Sequence, residues 1–210
     1  GIRTGGLLKI GPDEKLYLTI GDLNRPALAQ NLQSPAGKVL RYNLDGSIPP
    51  DNPFPGSPIF TLGHGNVFGM AFHPLSGRAY VTDNGPDRDD EVNVLDGGAN
   101  YGWPVVMGKT GDPRFVDPIL TFTPTIAPTG AAFYTGDRYP RAYRHNLFFG
   151  AWNTGQVYRV VLAPPAYRRV VKVEMVLPAR LDGIVDVAQG ADGYLYFTTR
   201  SAIHRITRLP

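Results

Sequence analysis

Carboxylates are concentrated in one short segment of the sequence. Asp83, Asp87, Asp89 and Asp90 fall within a single eight-residue stretch. Together these carboxylates supply negative potential, which favours a hard cation nearby. A solvated acidic turn is the alternative interpretation, because acidic loops are common. The segment therefore makes hard-cation binding one candidate chemistry.

The sequence lacks the residues or motifs that several other common catalytic chemistries require. The sequence has no cysteine, which excludes disulfides and thiol catalysis. His73 precedes Pro74 in a turn, and His145 and His204 have no partners at the spacing of a zinc site. There is no Gly-x-Ser-x-Gly nucleophile elbow and no phosphate-cradling loop before a helix. Hydrolases and nucleotide-binding enzymes of those types are therefore disfavoured.

Charge and hydropathy exclude two further classes of partner. The 210 residues carry 21 basic and 18 acidic side chains, a net charge of +3. The densest basic segments, 138–144 and 168–172, are interleaved with Tyr, Pro and Val and form no nucleic-acid motif. No apolar run approaches the ~20 residues of a membrane span. We predict no nucleic-acid partner and no membrane span.

The composition and an internal repeat predict an all-β fold. The 25 glycines and 20 prolines exceed a fifth of the chain, and 11 tyrosines and 10 phenylalanines favour strands. A unit of roughly 45–55 residues recurs four times, the length of a propeller blade. Each copy has an apolar run, a turn, a β-rich run and a closing strand. The predicted blades cover residues 5–44, 58–96, 120–162 and 170–207, within one domain or partial propeller spanning 1–210.

Between the repeated runs lie long loops rich in Pro, Gly and Asn, such as 23–36 and 45–58. Loops of this length in a compact domain are usually functional or line a binding face. A β-sandwich with irregular loops is the alternative fold. The repeat favours the propeller, because a sandwich does not require one.

Several motifs, in order along the chain, resemble the glucose/sorbosone dehydrogenase family, whose members use pyrroloquinoline quinone (PQQ). They are Gly5-Gly6-Leu7-Leu8-Lys9-Ile10-Gly11-Pro12-Asp13, Tyr17-Leu18-Thr19-Ile20-Gly21-Asp22, Gly37-Lys38-Val39-Leu40-Arg41-Tyr42, Leu62-Gly63-His64-Gly65-Asn66, Asn84-Gly85-Pro86, Asn100-Tyr101-Gly102-Trp103-Pro104 and Ala127-Pro128-Thr129-Gly130. The resemblance implies a β-propeller, six-bladed in the family, that binds PQQ and calcium in a cleft and oxidises aldoses. This chain holds about four blades and resembles the family's C-terminal two-thirds, so the first third is expected to be absent.

The family's general base is a histidine, and its position is occupied here by Arg3. Arginine stays protonated at ordinary pH and cannot accept the proton of a sugar hydroxyl. The aspartate that supports the family's histidine matches Asp22, for which a turn role is equally compatible. His64 could fill the base role only in a rearranged site.

The cofactor positions implied by the resemblance are partly altered. Asn66 and Thr125 match cofactor-lining residues, whereas Gly65 stands where the family has an arginine and Asn153 where it has a lysine. The implied calcium ligands are the backbone carbonyls of Gly85 and Pro86 for a cofactor-linked ion. A second, structural ion would use Glu91, the carbonyl of Tyr101, and Asp112.

The favoured interpretation is a quinoprotein sugar dehydrogenase of truncated or degenerate form, with weak or no activity. The alternative is a non-catalytic, calcium-stabilised propeller that serves as a binding or scaffold module. A sugar is the expected ligand, and open sheet faces predict self-association or a partner that supplies the missing blades. The family implies a periplasmic or extracellular location, although the chain begins without a signal peptide.

Overall fold

The structure is a computed structural model that describes residues 2–209, so the two ends of the predicted 1–210 domain lie outside it. The described residues form fifteen strands and two short 3-10 helices, Pro26–Gln30 and Arg141–Tyr143. Neither helix is long and apolar enough to cross a membrane. The all-β prediction is confirmed.

The strands form four antiparallel sheets, each a simple meander. Sheet 1 contains β1 (Gly5–Ile10), β2 (Leu16–Ile20), β3 (Lys38–Tyr42) and β4 (Ile59–Leu62). Sheet 2 contains β5 (Val67–Phe72), β6 (Ala79–Asp83), β7 (Asp90–Val94) and β8 (Leu120–Phe122). Sheet 3 contains β9 (Pro128–Phe133), β10 (Leu147–Ala151), β11 (Gln156–Leu162) and β12 (Val170–Met175). Sheet 4 contains β13 (Asp186–Gln189), β14 (Leu195–Thr198) and β15 (Ile203–Arg205).

The first strand of each sheet is the innermost. β1 packs against β5, β5 against β9, and β9 against β13. Among the described residues, β13 and β1 share no contact of comparable extent, so sheets 1 and 4 are the two ends of an arc. Radial four-stranded sheets joined through their inner strands are the blades of a β-propeller.

Three apolar clusters fill the spaces between neighbouring sheets. Tyr17 and Met70 belong to the cluster between sheets 1 and 2. Phe149 points into the next cluster, and its neighbour Phe148 points into the last one, between sheets 3 and 4. This alternation follows from the two-residue period of a strand, and it explains why inner sheets read as nearly continuous apolar runs.

The sheets do not keep the predicted blade bounds. Three outer strands pair with the sheet that precedes them in the chain: β4 (59–62), β8 (120–122) and β12 (170–175). The predicted blade bounds placed each of these segments in the following blade. The cause is that a short strand carries no sequence signal for which neighbour it pairs with. The sheets therefore span 5–62, 67–122, 128–175 and 186–205.

Candidate ligand cleft

A cavity of about 420 Å³, termed the inner cleft below, opens where the inner strands begin. In an antiparallel meander the start of the first strand and the end of the second lie at the same edge, so every sheet contributes here. The lining residues are Arg3, Asn66, Phe68, Asn84, Gly85, Ala127, Thr129, Trp152 and Val185. The size is within the range of small-molecule sites.

Arg3 and Asp22 meet at the wall of the inner cleft. Arg3 Nε donates to both carboxylate oxygens of Asp22 at 3.1 Å. Asp22 is fully buried and also accepts hydrogen bonds from Trp103 Nε1 at 2.8 Å and from the backbone N–H of Asn24 at 2.9 Å. The guanidinium lies 5.2 Å from the centroid of the Trp103 ring. Positions 3 and 22 are thus in contact, and both oxygens of Asp22 are engaged by donors.

Gly65 leaves the space that the Arg3 guanidinium occupies. A Cβ atom built at Gly65 would lie 2.4 Å from Arg3 Nη2, far inside van der Waals contact. The backbone of Gly65 is fixed on both sides, because its carbonyl accepts from Asp22 N–H and its own N–H donates to Asp83. Arginine at position 3 and glycine at position 65 are therefore sterically matched.

Asn66 and His64 serve the walls of the cleft in different ways. Asn66 Oδ1 accepts from Gly5 N–H at 3.0 Å, which ties the start of β1 to the start of β5. His64 is fully buried and stacked on Tyr101, and its two ring nitrogens contact Asp83 at 3.0 Å and Thr61 at 2.9 Å. A rearranged site that uses His64 as the base is therefore disfavoured.

The other two predicted cofactor positions, Thr125 and Asn153, lie together. Asn153 Nδ2 donates to the Thr125 carbonyl at 3.1 Å and approaches its hydroxyl at 3.5 Å. Neighbouring Trp152 lines the cleft, and the Arg200 guanidinium lies 4.5 Å from its ring centroid. Arg180 donates to the Asn153 carbonyl at 2.8 Å. Two arginines that the sequence did not single out thus lie beside this end of the cleft.

A second, smaller cavity of about 20 Å³ lies beside the inner cleft and is termed the acidic cavity. Its lining residues are Gly65, Asp83, Asn84, Gly85, Asp89, Glu91, Trp103, Val106 and Met107. Burial, reinforced by the charge of Asp83, raises the pKa of Glu91 to about 7. Asn84 Oδ1 is buried without a hydrogen-bond partner among the described residues. A hard cation would stabilise the Glu91 carboxylate and coordinate Asn84 Oδ1, because it prefers carboxylate and amide oxygens.

The remaining predicted calcium ligands are placed unevenly. Gly85 lines the acidic cavity, and Pro86 follows it on the exposed loop. Tyr101 is buried, and its hydroxyl donates to the Val94 carbonyl at 2.7 Å. Asp112 is not among the lining residues and instead forms a fork with Arg114. Hydrogen bonds from the side chain and backbone of Arg114, with a smaller effect of its charge, lower the pKa of Asp112 to about 2. Within residues 2–209 no three acidic or histidine side chains converge as a metal site, so any cation would depend on carbonyl oxygens.

Asp90 has a positioning role that the sequence did not reveal. It accepts from the backbone N–H groups of Gly85, Ile126 and Ala127 at 2.7–2.9 Å, and so joins the β6–β7 loop to the segment before β9. Burial raises its pKa despite these three donors. One carboxylate of the acidic segment therefore accepts backbone hydrogen bonds that position two loops, in addition to contributing negative potential.

Trp103 and Trp152 are two further residues that sequence reasoning missed at the cleft. Trp103 is part of the Asn-Tyr-Gly-Trp-Pro motif, so its signal was present, but its contact with Asp22 depends on tertiary packing. Trp152 lies in no recognised motif. They are the two tryptophans of the chain, and both lie at the inner cleft or in its wall.

Together the radial sheets and the cleft at their inner edge define a β-propeller with a cavity of small-molecule size. The sequence model of the Glucose / Sorbosone dehydrogenase family matches residues 1–208. The chain belongs to that family.

The most informative relatives are sugar dehydrogenases. Quinoprotein glucose dehydrogenase B of Acinetobacter calcoaceticus is 47% identical over 129 residues, covering 51% of this chain and 27% of that protein. Aldose sugar dehydrogenase YliI of Escherichia coli is 31% identical over 95% of this chain and 57% of its own length. The PQQ-bound aldose sugar dehydrogenase of Streptomyces coelicolor superposes with a TM-score of 0.82 at 32% identity, covering 93% of this chain and 55% of that one. The chain thus spans little more than half the length of the relatives that it matches along nearly its whole extent.

Proposed function

We propose that the inner cleft binds a sugar-related ligand and that the chain oxidises aldoses weakly or not at all. The observation that carries this proposal is the Arg3–Asp22 ion pair at the position of the family's general base. Kinship with quinoprotein sugar dehydrogenases supports the ligand class.

Oxidation of a sugar hydroxyl requires a group that accepts its proton. Arg3 remains protonated and cannot do so. Asp22 is buried, and its oxygens already accept from Arg3, Trp103 and the backbone, which leaves them unavailable to a sugar. His64 is buried with both ring nitrogens engaged. The wall of the cleft around position 3 therefore holds a donor where catalysis needs an acceptor.

PQQ, when bound, would supply the two-electron oxidant. The residues present fit such a group in part: the cleft has the volume, and Arg3 Nη2 is buried without a hydrogen-bond partner, as a donor for a carboxylate would be. Arg3, Asn66 and Thr125 would hold it. Gly65 and Asn153 bring no positive charge, so we expect PQQ to bind less tightly than in a relative with arginine and lysine there.

Calcium is the second group in the proposal. Among the described residues no backbone hydrogen bond uses the carbonyl oxygens of Gly85, Pro86 or Tyr101, so these acceptors are free to coordinate. Glu91, whose pKa is raised to about 7 by burial and by the charge of Asp83, would add a carboxylate. Asp112 would have to leave Arg114 to join them. A cofactor-linked calcium would use the carbonyls of Gly85 and Pro86. A second, structural calcium would use Glu91, the carbonyl of Tyr101 and Asp112.

The experiment is a titration of the purified chain with PQQ, in calcium and then in chelator, with a dye-linked aldose assay. We expect calcium-dependent binding with dye reduction near background. The variant Arg3→His, which restores the family's base, should raise the dye-linked rate at least tenfold. Turnover by the unaltered chain at a rate that Arg3→His does not increase would contradict the proposal. Absence of PQQ binding would leave the non-catalytic, calcium-stabilised binding module as the function.

We also propose a periplasmic or extracellular location, on the basis of the family resemblance. Fractionation of cells that express the natural gene, followed by immunodetection, tests it. Recovery in the cytoplasmic fraction would contradict this location.

A further inference from the structure

The Arg3 guanidinium has donors that no protein group accepts. Only Nε forms a hydrogen bond to another described residue, and Nη2 is buried without a partner. Arginine carries five N–H donors in a fixed plane, and a buried donor without a hydrogen-bond acceptor costs free energy. An acceptor is therefore missing from the protein side of this wall.

The guanidinium is held in place and is not a loosely tethered surface charge. Arg3 adopts a left-handed backbone conformation with φ of 54°, and its carbonyl accepts from Leu23 N–H at 3.1 Å. Asp22 fixes Nε from one side, Trp103 covers the plane, and the space above Gly65 receives Nη2. A rigid guanidinium loses little freedom on binding, which favours tight and oriented contacts.

Neighbouring carboxylates do not fill the role of the missing acceptor. Asp22 is already placed on Nε, and Asp83 accepts from Gly65 N–H, Asn66 N–H and His64 without an ion pair to Arg3. Planar guanidinium donors match the two oxygens of a carboxylate better than any neutral hydroxyl. The chemistry at this wall of the cleft therefore favours a ligand carboxylate.

The rest of the inner cleft suits a polyhydroxylated body. Asn66 and Asn84 line the cleft and supply amide groups. Phe68 and Trp152 supply aromatic surface for the C–H face of a sugar ring. The Arg200 guanidinium on the Trp152 ring adds positive charge beside that residue.

We propose that the inner cleft is a sugar-acid site in which Arg3 binds the carboxylate of an aldonate or uronate. The proposal rests on the proposed function, because it names the ligand class of the same cleft. Its chemistry is shared by the carboxylates of PQQ, so the test must separate the two sources.

The test is calorimetric titration of the full chain without PQQ, using gluconate and glucuronate beside the neutral partners sorbitol and glucose. Fluorescence of the two tryptophans gives a second readout. We expect each sugar acid to bind at least tenfold more tightly than its neutral partner. Arg3→Gln should abolish that preference, and Arg3→Lys should keep part of it. Arg25→Gln, an exposed arginine on the adjoining loop, is the matched control and should change nothing.

Because Arg3→Gln leaves Asp22 buried without its partner, the double variant Arg3→Gln/Asp22→Asn provides a folded alternative that lacks both charges. Equal affinity for acid and neutral sugars, or an acid preference that survives both variants, would overturn the proposal. Binding of PQQ with no binding of gluconate or glucuronate would assign Arg3 to the cofactor and also overturn it. Dye-linked turnover that Arg3→His does not increase would refute the proposed function alone, since the sugar-acid preference is measured without PQQ.

Discussion

Positions 3 and 65 are far apart in the chain, yet a side chain at position 65 would take the space of the Arg3 guanidinium. The family resemblance implies that each is a separate departure from the residue expected at that position. The structure shows why they occur together, because a side chain at 65 would overlap the Arg3 guanidinium. The two changes also act in opposite directions on the charge of the cleft: one removes a guanidinium from its wall and the other supplies one.

This steric match predicts a coupled pair. Gly65→Ala should destabilise the protein by about 1–3 kcal/mol, because overpacking forces either the guanidinium or the backbone to move. In an Arg3→Ala background the same substitution should cost much less. Urea unfolding of the four proteins of the double-mutant cycle measures the coupling. Additive effects would mean that Arg3 and Gly65 do not share the space.

His73 gives a residue-scale prediction about acid stability. It is buried between sheets 2 and 3, at the edge opposite the inner cleft. Its ring centroid lies 4.0 Å from that of Tyr167 and 4.9 Å from that of Phe133. Burial, followed by the charge of His145, lowers its pKa to about 4. Ser76 N–H donates to Nδ1, which suits the neutral ring. The neutral histidine is therefore part of the packing.

The sign of the effect follows from proton linkage. Below pH 6.5 the unfolded chain binds a proton on His73 that the native protein does not bind until about pH 4, so stability is lost as the pH falls through that window. The loss attributable to His73 is up to about 3 kcal/mol. His73→Gln should flatten the dependence of the unfolding free energy on pH between 6.5 and 4. His204→Gln, outside this cluster, is the control, and an unchanged slope in His73→Gln would contradict the assignment.

At the scale of elements, the first three strands of every sheet were predictable, and the fourth strand of sheets 1 to 3 was not. Runs such as Leu16–Ile20 and Leu195–Thr198 alternate between buried and half-buried positions, which gives a two-residue period. β8 has three residues, none of them fully buried, and its pairing with β7 depends on tertiary packing and not on a local sequence pattern. The residues of the cleft show the same contrast between local sequence signals and tertiary packing. Motif residues could be named, but the contacts of Trp103, Asp90 and Arg200 depend on how the sheets pack.

Glycines set how closely the inner strands approach. A Cβ atom at Gly130, on β9, would lie 1.7 Å from a carboxylate oxygen of Asp186 on β13 and 2.9 Å from its Cα. Gly130→Ala should therefore push sheets 3 and 4 apart and destabilise the protein by more than about 2 kcal/mol. Gly190→Ala meets only the side chains of Tyr196 and Asp192, which can move, and should cost less. Thermal unfolding of both variants tests this, and equal losses would show that the close approach of β9 to β13 is not the cause.

At the scale of the whole molecule, the inner sheets are covered on both faces and the end sheets on one. On β1, Leu7 packs toward sheet 2, whereas Leu8 and Ile10 are 56% and 61% exposed. On sheet 4, β15 forms the edge, with Ile203 76% exposed. An apolar cavity of about 660 Å³ lies beside it, lined in part by Phe197 and Leu209. Large apolar surfaces and open strand edges of this kind favour association.

We therefore expect the chain at tens of micromolar to sediment as a species larger than one chain, with its fraction rising with concentration. Charged substitutions on the end sheets, Ile10→Glu or Ile203→Glu, should shift the population toward the monomer because each places a carboxylate in the apolar contact. Leu75→Glu is the matched control, since Leu75 is 59% exposed but lies on the turn between β5 and β6. Analytical ultracentrifugation measures all four proteins. A purely monomeric chain would contradict self-association and would favour the other expectation, that a separate partner covers the end sheets. Dispersal by Leu75→Glu as well would place the contact elsewhere on the surface.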